Sequence, residues 1–458
     1  MIFSLAIAFA LSSYMALAIQ TIKTSNRSVH GVSAMNIAET GLEEGLWNIN
    51  AKIGGTASFD PSTWTVSGSN ATGSFNIPTL GQNTSGTTNV YVKNYDGVAA
   101  APTVVAHSYV TIPNQGMVEK WVQVQLQKRS YFATGLVAKE SITFNGNNAT
   151  VDSWNSAGSG GSIVGYSSSV AHDKGSIGSV LVESTIAVNN ADIWGFASVG
   201  GDSTTAIGVG PNGRVGPYGT GAGVKDPTHV STDFTANMDP YPMTYTGTVI
   251  APITSSMTLG VAGSTTPVTY QVPSISLTNK TLTIVGPVIL EITAPAGSSA
   301  ITVGGGSGSI NIVNNGTAAV NGSLIVKTAG DIKVAGDGVS NGGTDASGNY
   351  VNGQPIGFQI YGTATSSSLT MQSIDIKGNG SLSAACYAPF ANLTISGGGT
   401  SSSGDVYGSF VADKVVVSGN TAFHYDESLA TFGSNSYGIT EWRELVSAAD
   451  RAVYASKI

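Results

Sequence analysis

The chain is 458 residues long, with 59 glycines, one cysteine, only 10% charged residues and a net charge of −8. About a quarter of a typical soluble domain is charged, so this surface must be built largely of Ser, Thr, Asn and Gly. The 19 basic residues form no cluster, which excludes a nucleic-acid-binding surface. The 41% apolar content excludes a disordered chain, and a lone cysteine excludes an internal disulfide framework.

Residues 2–22 contain no charge, about the length that spans a bilayer as a helix. A secretory signal peptide ending near Ala16-Leu17-Ala18 is the competing reading. Helix formers continue without proline over residues 20–53. Met35, Ala38, Leu42, Leu46, Ile49 and Ile53 fall on one face, with Glu39, Glu43 and Glu44 off it. Gly54-Gly55 is the expected stop. The prediction is one helix over 1–53, about 80 Å long at about 1.5 Å per residue. Its first half is apolar all round and its second half amphipathic. The first bases, Lys23 and Arg27, lie on the side that the positive-inside rule keeps in the cytoplasm. A Gly/Ser/Asn-rich β structure suits the exterior instead, so Met1 is expected to be an internal start with a short basic leader upstream.

Residues 54–129 read as a small β-rich head. Residues 104–112 and 117–128 alternate as two strands around the turn Pro113-Asn114-Gln115-Gly116. Val118, Val122, Val124 and Leu126 take one face of the second strand; Gln123, Gln125 and Gln127 take the other. Lone His107 is expected on the strand surface rather than as a ligand.

Residues 130–429 hold short runs of period two, among them residues 141–144, 275–277, 282–284, 301–303, 310–312, 324–326, 332–334, 374–376, 393–395 and 415–417. Glycines break them too often for helices. The predicted fold is mainly β: after the helix and head comes a right-handed parallel β-helix of about ten to twelve turns, with a repeat of about 20–30 residues. A β-sandwich is the alternative. Polar corners at 145–148, 189–190, 314–316 and 378–380 supply Asn and Gly residues that tolerate positive φ. Two stretches interrupt the rhythm. Residues 208–242, with five prolines, read as an excursion between two coil segments; residues 336–357 read as a long corner loop. Asp337, Asn341, Asp345 and Asn349 in that loop offer oxygens to Ca²⁺, but at no known calcium-loop spacing, and turn use is the simpler reading. Cys386 reads as a small core residue. Over residues 430–458, a helix capped by Thr440 and presenting Trp442, Leu445, Val446, Ala449 and Val453 is expected to cover an end of the coil.

Ala34-Met35-Asn36-Ile37-Ala38-Glu39-Thr40-Gly41-Leu42-Glu43-Glu44-Gly45-Leu46, following an apolar helix, resembles the N-terminal region of PilX-type pilus assembly proteins, minor pilin-like proteins of type IV pilus systems. Leu5 stands where those proteins place a glutamate. Tyr387-Ala388-Pro389-Phe390-Ala391, Gly404-Asp405-Val406-Tyr407-Gly408-Ser409 and His424-Tyr425-Asp426-Glu427-Ser428-Leu429 are similar to β-helical regions found behind such N-termini in bacterial surface proteins. The resemblance implies a subunit that assembles into a pilus or primes it. Its partners would be pilins or other pilus components, through the N-terminal helix, and the bacterial inner membrane, with a surface glycan as a further candidate. Its β domains would lie in the periplasm or on the cell surface.

No residue is assigned a catalytic, cofactor-binding or metal-binding role. The acids Asp192, Asp202, Asp226, Asp233 and Asp239 are scattered, and no nucleophile elbow, HExxH, CxxC or phosphate-binding loop is present. His424-Tyr425-Asp426-Glu427 is the densest ionisable group, and acid–base work there needs a partner from another turn. The expectation is a non-enzymatic surface protein. The alternatives are a polysaccharide lyase or hydrolase on the same scaffold, and a secreted adhesin with a cleaved signal peptide.

Overall fold

The computed structural model describes residues 2–53, 58–78, 84–96, 101–112, 116–146, 148–158, 163–317, 320–335, 338–344, 350–352, 354–377, 382–397, 405–432 and 436–458. It is mainly β, with one long helix at the start and one short helix at the end. The expected stops at Gly54-Gly55 and residues 113–115, and the corner at 378–380, lie outside the described residues. Two compact units result: residues 1–129 with 434–458, and residues 130–433.

In the first unit the helix Ile2–Ile53 packs its second half on an antiparallel sheet. The strands lie in the order Trp64–Ser67, Asn70–Ile77, Ser85–Lys93, Thr103–Ile112, Gly116–Arg129, Ser436–Glu444. Ala38, Leu42 and Ile49 bury against Val90, Val92, Val104, Val122 and Val124, the faces expected from the two periodicities. The approach is close because Gly41 and Gly45 face the sheet. A Cβ on Gly45 would stand 2.7 Å from Val104 Cγ1, and one on Gly41 2.9 Å from Val90 Cγ2. The Ser108 hydroxyl donates to the Ala34 carbonyl across this contact. Buried Asn48 donates to the Glu44 carbonyl at 2.8 Å and accepts from Phe59 N at 2.6 Å, tying the chain beyond the helix back onto it.

The C-terminal segment corrects the expectation. Thr440 caps no helix: Ser436–Glu444 is a strand, antiparallel to Gly116–Arg129. Of the expected helical face, Leu445 is buried, while Trp442, Val446 and Val453 are exposed. Leu445 packs on Val105 and Trp121, with Tyr454 and Ile458 beside it. The helix itself is only Ala448–Ala452, capped by Ser447, whose Oγ accepts from Asp450 N at 3.1 Å. The segment completes the head sheet. A strand edge with a row of open N–H and C=O groups outweighs the helical propensity of nine residues.

The second unit is a coil of parallel strands, and the chain enters it in the middle. Leu136–Phe144 lies between Val406–Gly419 on one side and Gly175–Ser179 and Thr185–Asn189 on the other. An outgoing leg winds on through Asp192–Val199 to Arg214–Gly216 and Val230–Ser231. Residues 232–247 then run lengthwise across the rungs. Phe234 lies against Gly178. Tyr387 Oη donates to the Asp239 carbonyl at 2.7 Å, and Tyr241 stacks on Tyr361 at 4.1 Å. Buried Glu291 accepts from Thr246 N at 2.6 Å and Gly247 N at 2.9 Å. A return leg starts at Thr248–Val249 and winds back through Val268–Val272, Pro287–Ile292, Ser323–Thr328, Phe358–Gly362 and Leu382–Gly397 to Val406–Gly419. The excursion read at 208–242 is therefore the last rung of one leg plus most of the traverse to the other.

Eleven strand segments stack along this face, roughly 50 Å at about 4.8 Å per step. The repeat is uneven: Val268 lies under Val288, twenty residues on, but Val288 under Leu324, thirty-six on. The described parts of 336–357 are also not a plain loop. Gly338–Thr344 lies parallel to Ser309–Thr317, in a sheet that also holds Met257–Leu259 and Thr281–Val285, and pairs antiparallel with Tyr350–Asn352. Because the legs meet at mid-coil, the unit begins and ends on neighbouring rungs: Phe410 N donates to Gly135 O at 2.8 Å, and Tyr425 Oη to Phe132 O at 3.2 Å.

Candidate functional site

Two places concentrate unusual chemistry, one in each unit. The first is the free half of the helix. Ile7, Phe9, Leu11, Tyr14, Met15, Leu17, Ile19 and Ile22 are all exposed, Phe9 at 70%. Thr21 and Thr24 fold their hydroxyls back onto the carbonyls of Leu17 and Gln20, both at 3.0 Å, which withdraws two hydroxyl donors from the helix surface. Among the described residues no helix is long and apolar enough to cross a membrane; the side chains of residues 1–6 and 8 lie outside that description. Next to this half, an open groove of about 760 Å³ runs between Arg27, Val32 and Met35 on the helix and Met117 and Lys120 on the sheet.

The second place is the seam where the two legs of the coil meet. Ala422–Asp426 pairs there with Thr150–Trp154, which puts His424 beside Asp152. His424 is 3% exposed. Its Nδ1 lies 2.5 Å from Asp152 Oδ1 and its Nε2 3.8 Å from Asp405 Oδ2. The imidazole stacks on Tyr166 at 3.6 Å and lies beside Tyr407 at 5.0 Å, and Trp154 meets both tyrosines edge-on. Tyr166 Oη donates to Asp152 Oδ2 at 2.6 Å. Burial opposes the charge on His424, but the Asp152 and Asp405 carboxylates outweigh it and raise its pKa. The tyrosines shift in the same direction, with burial and the carboxylates acting together. Burial, with Asp152 beside Tyr166 and Asp405 beside Tyr407, lifts both phenols well above their usual range.

The neighbouring acids of the motif have separate duties. Asp426, fully buried, accepts from Ser156 N at 3.0 Å, Ser156 Oγ at 2.6 Å and Ser428 N at 3.0 Å. Glu427 faces His172 at 2.7 Å and Lys174 at 3.4 Å. Burial raises the Glu427 pKa, but hydrogen bonds from His172 and Ser153 overcome that and lower it. Asp152, Asp426 and Glu427 are thus each engaged by a donor from the adjoining leg. The motif was visible in the sequence; its partners were not. Asp152 and His424 are 272 residues apart and meet only through the pairing of the two legs.

The other candidates disperse. Asp192 pairs with Arg214 at 2.7 Å. Asp226 holds Thr228 N and Oγ1 in a turn at 2.8 and 2.7 Å. Asp233 sits at φ +57°, Asp239 lies on the traverse, and Asp202 follows the strand Asp192–Val199 in a bend. Asn341 is buried, and its Nδ2 donates to the Gln354 carbonyl at 2.6 Å. Asp337, Asp345 and Asn349 lie outside the described residues. Among the described residues no group of three His, Cys, Asp or Glu is placed to hold a metal ion. Cys386 stacks between Ile360 and Phe410 in the coil interior, and burial pushes its thiol up to about 12, far from thiolate reactivity. His107 is part-buried: it stacks on Trp121 at 3.9 Å and meets Glu119 at 3.0 Å.

A family model described as a domain of unknown function (DUF7305) matches residues 290–432. That span runs from the Pro287–Ile292 rung of the return leg to just past the His424 seam. No curated protein and no solved structure matches the chain.

Proposed function

We propose that this is a non-enzymatic, membrane-anchored, pilin-like surface protein that takes part in type IV pilus assembly or adhesion and displays the β-coil outside the cell. One observation carries the reading: a single helix whose second half is buried against an antiparallel sheet through Gly41 and Gly45, and whose first half leaves its described apolar residues from Ile7 to Ile22 exposed. Exposed apolar surface on that scale calls for a bilayer or neighbouring helices. The bacterial inner membrane and the helices of pilins or other pilus components are the partners that meet the need. The resemblance of residues 34–46 to PilX-type proteins agrees with this reading. The seam supports a structural role, since His424, Asp426 and Glu427 bind the two legs together.

The experiment is cell fractionation of the protein expressed from its own locus, with peptide mass spectrometry of the mature N-terminus. The expected result is a chain that retains the apolar helix, in the membrane or sheared-pilus fraction. A chain in the medium that begins at Ile19 overturns the proposal.

A further inference from the structure

The outgoing leg carries aromatic rings on its outer face. In Asp192–Val199 burial alternates: Ile193, Gly195, Ala197 and Val199 point inward, while Asp192, Trp194, Phe196 and Ser198 point outward. Trp194 and Phe196 are therefore neighbours on the solvent side. The residues beside them are small, with Ser176 next to Phe196 on one rung and Gly216 next to Trp194 on the following one. Tyr218 adds a third ring, 5.3 Å from Trp194 between centroids. Phe196 is 43% exposed and Tyr218 48%.

These rings are held in place. The Arg214 guanidinium lies 5.3 Å from the Trp194 ring and is itself fixed by Asp192. His229 stacks on Phe196 at 4.6 Å and 17°. Asp173 accepts from Tyr218 N at 3.1 Å. Phe196 and Tyr218 are exposed and Trp194 between them is half-buried under Arg214 and Tyr218, so the rings form a surface already shaped for contact, with little ordering entropy left to lose on binding.

The surroundings select the ligand. The charged groups near the rings are Asp152, Asp173, Asp192 and Asp226 against Lys174, Arg214 and Lys225, a balance with no positive excess to attract a polyanion. The apolar part is flat and aromatic, and its rim is carboxylate, guanidinium, imidazole and hydroxyl. A pyranose has the matching form, a C–H face with a hydroxyl rim, and an extended oligosaccharide repeats it along its length. We propose that this face binds a neutral oligosaccharide. Trp194, Phe196 and Tyr218 stack on successive sugar rings, and Asp192, Arg214 and His229 take hydroxyls at the edge. The site deepens the surface-display reading by naming its partner class, but it stands on the coil alone.

The test uses the full chain in a detergent without a sugar headgroup. Cellohexaose, laminarihexaose and chitohexaose are titrated by isothermal titration calorimetry, and heparin serves as the polyanion. At least one neutral hexamer should bind. Trp194→Ala with Phe196→Ala should weaken it at least tenfold and Tyr218→Ala severalfold, while Trp194→Phe keeps most of the affinity. Tyr218 lies outside the strands, so its variant reports binding even if the double variant proves unstable; melting curves identify that case. Failure of all three hexamers to bind at millimolar concentration, binding unchanged in Tyr218→Ala and the double variant, or binding to heparin alone would each overturn the site. Fractionation bears only on the membrane anchor, so the two proposals fail separately.

Discussion

The head sheet and the coil are both made of strands with a period of two, yet they obtain their cores differently. The head borrows its core from a helix. Val90, Val92, Val104, Val122 and Val124 all face Ala38, Leu42 and Ile49, and the whole contact depends on two glycines. The coil supplies its own core. Each rung adds a few inward residues, and the layers of Leu, Ile, Val and Phe form one continuous cluster. A defect in the head therefore acts on a single interface. A defect in the coil acts on its neighbouring rungs, as in any solenoid, except at the seam, where it acts on both legs at once.

The sharpest way to break that comparison is at the seam. Phe410 is fully buried and packs edge-on against Phe423 at 5.9 Å. Phe410→Ala is expected to cost about 3–5 kcal/mol. Leu259→Ala, on the terminal rung of the return leg and slightly exposed, is expected to cost about 2 kcal/mol, at the low end of such truncations. Equal losses in chemical denaturation would mean that the seam has no special weight. In the head, Gly45→Val forces a side chain into Val104 and should cost about 2–3 kcal/mol through overpacking. Its readout is loss of protection in hydrogen exchange over the second half of the helix, with the coil unchanged.

A smaller effect follows from pH. The folded pKa of His424 is raised, so its stabilisation is complete below the unfolded value of about 6.5 and is lost as the pH rises through the folded value. The coil should melt higher at pH 5.5 than at pH 8.5, and His424→Gln should flatten that difference. Glu427 has the opposite sign: its lowered pKa makes its contribution fade only as the pH falls below the ordinary carboxylate range. The smallest effect belongs to Lys120, paired with Glu444 at 2.6 Å on the partly exposed edge of the head sheet. Lys120→Met should cost no more than about 1 kcal/mol, and a larger loss of melting temperature would mean that the C-terminal strand depends on that ion pair.

Much of this architecture could be read locally. Each of the ten period-two runs falls inside a strand, because alternation needs only a buried face and an exposed one. The helix and its buried stripe were likewise readable from three- and four-residue steps. The misreadings came where partners are remote. Residues 440–453 have a helical pattern in isolation, and only the free edge of Gly116–Arg129 makes 436–444 a strand. Asn341 reads as part of a corner loop, but it lies in the strand Gly338–Thr344 and its amide also donates to the Ser383 carbonyl, 42 residues on, at 3.3 Å.

Local pattern alone determined the strands, the helix and the motif around His424, since periodicity and turn chemistry act within a few residues. Only the tertiary structure decided that the chain enters the coil at its middle, crosses it lengthwise over 232–247 and closes on itself. The decisive contacts are pairings such as Phe410 with Leu136 and His424 with Asp152. They span more than 270 residues, and no local preference specifies which of many similar strands will stack on which. That choice is made by matching whole rungs of buried side chains and by satisfying every buried carboxylate at the seam.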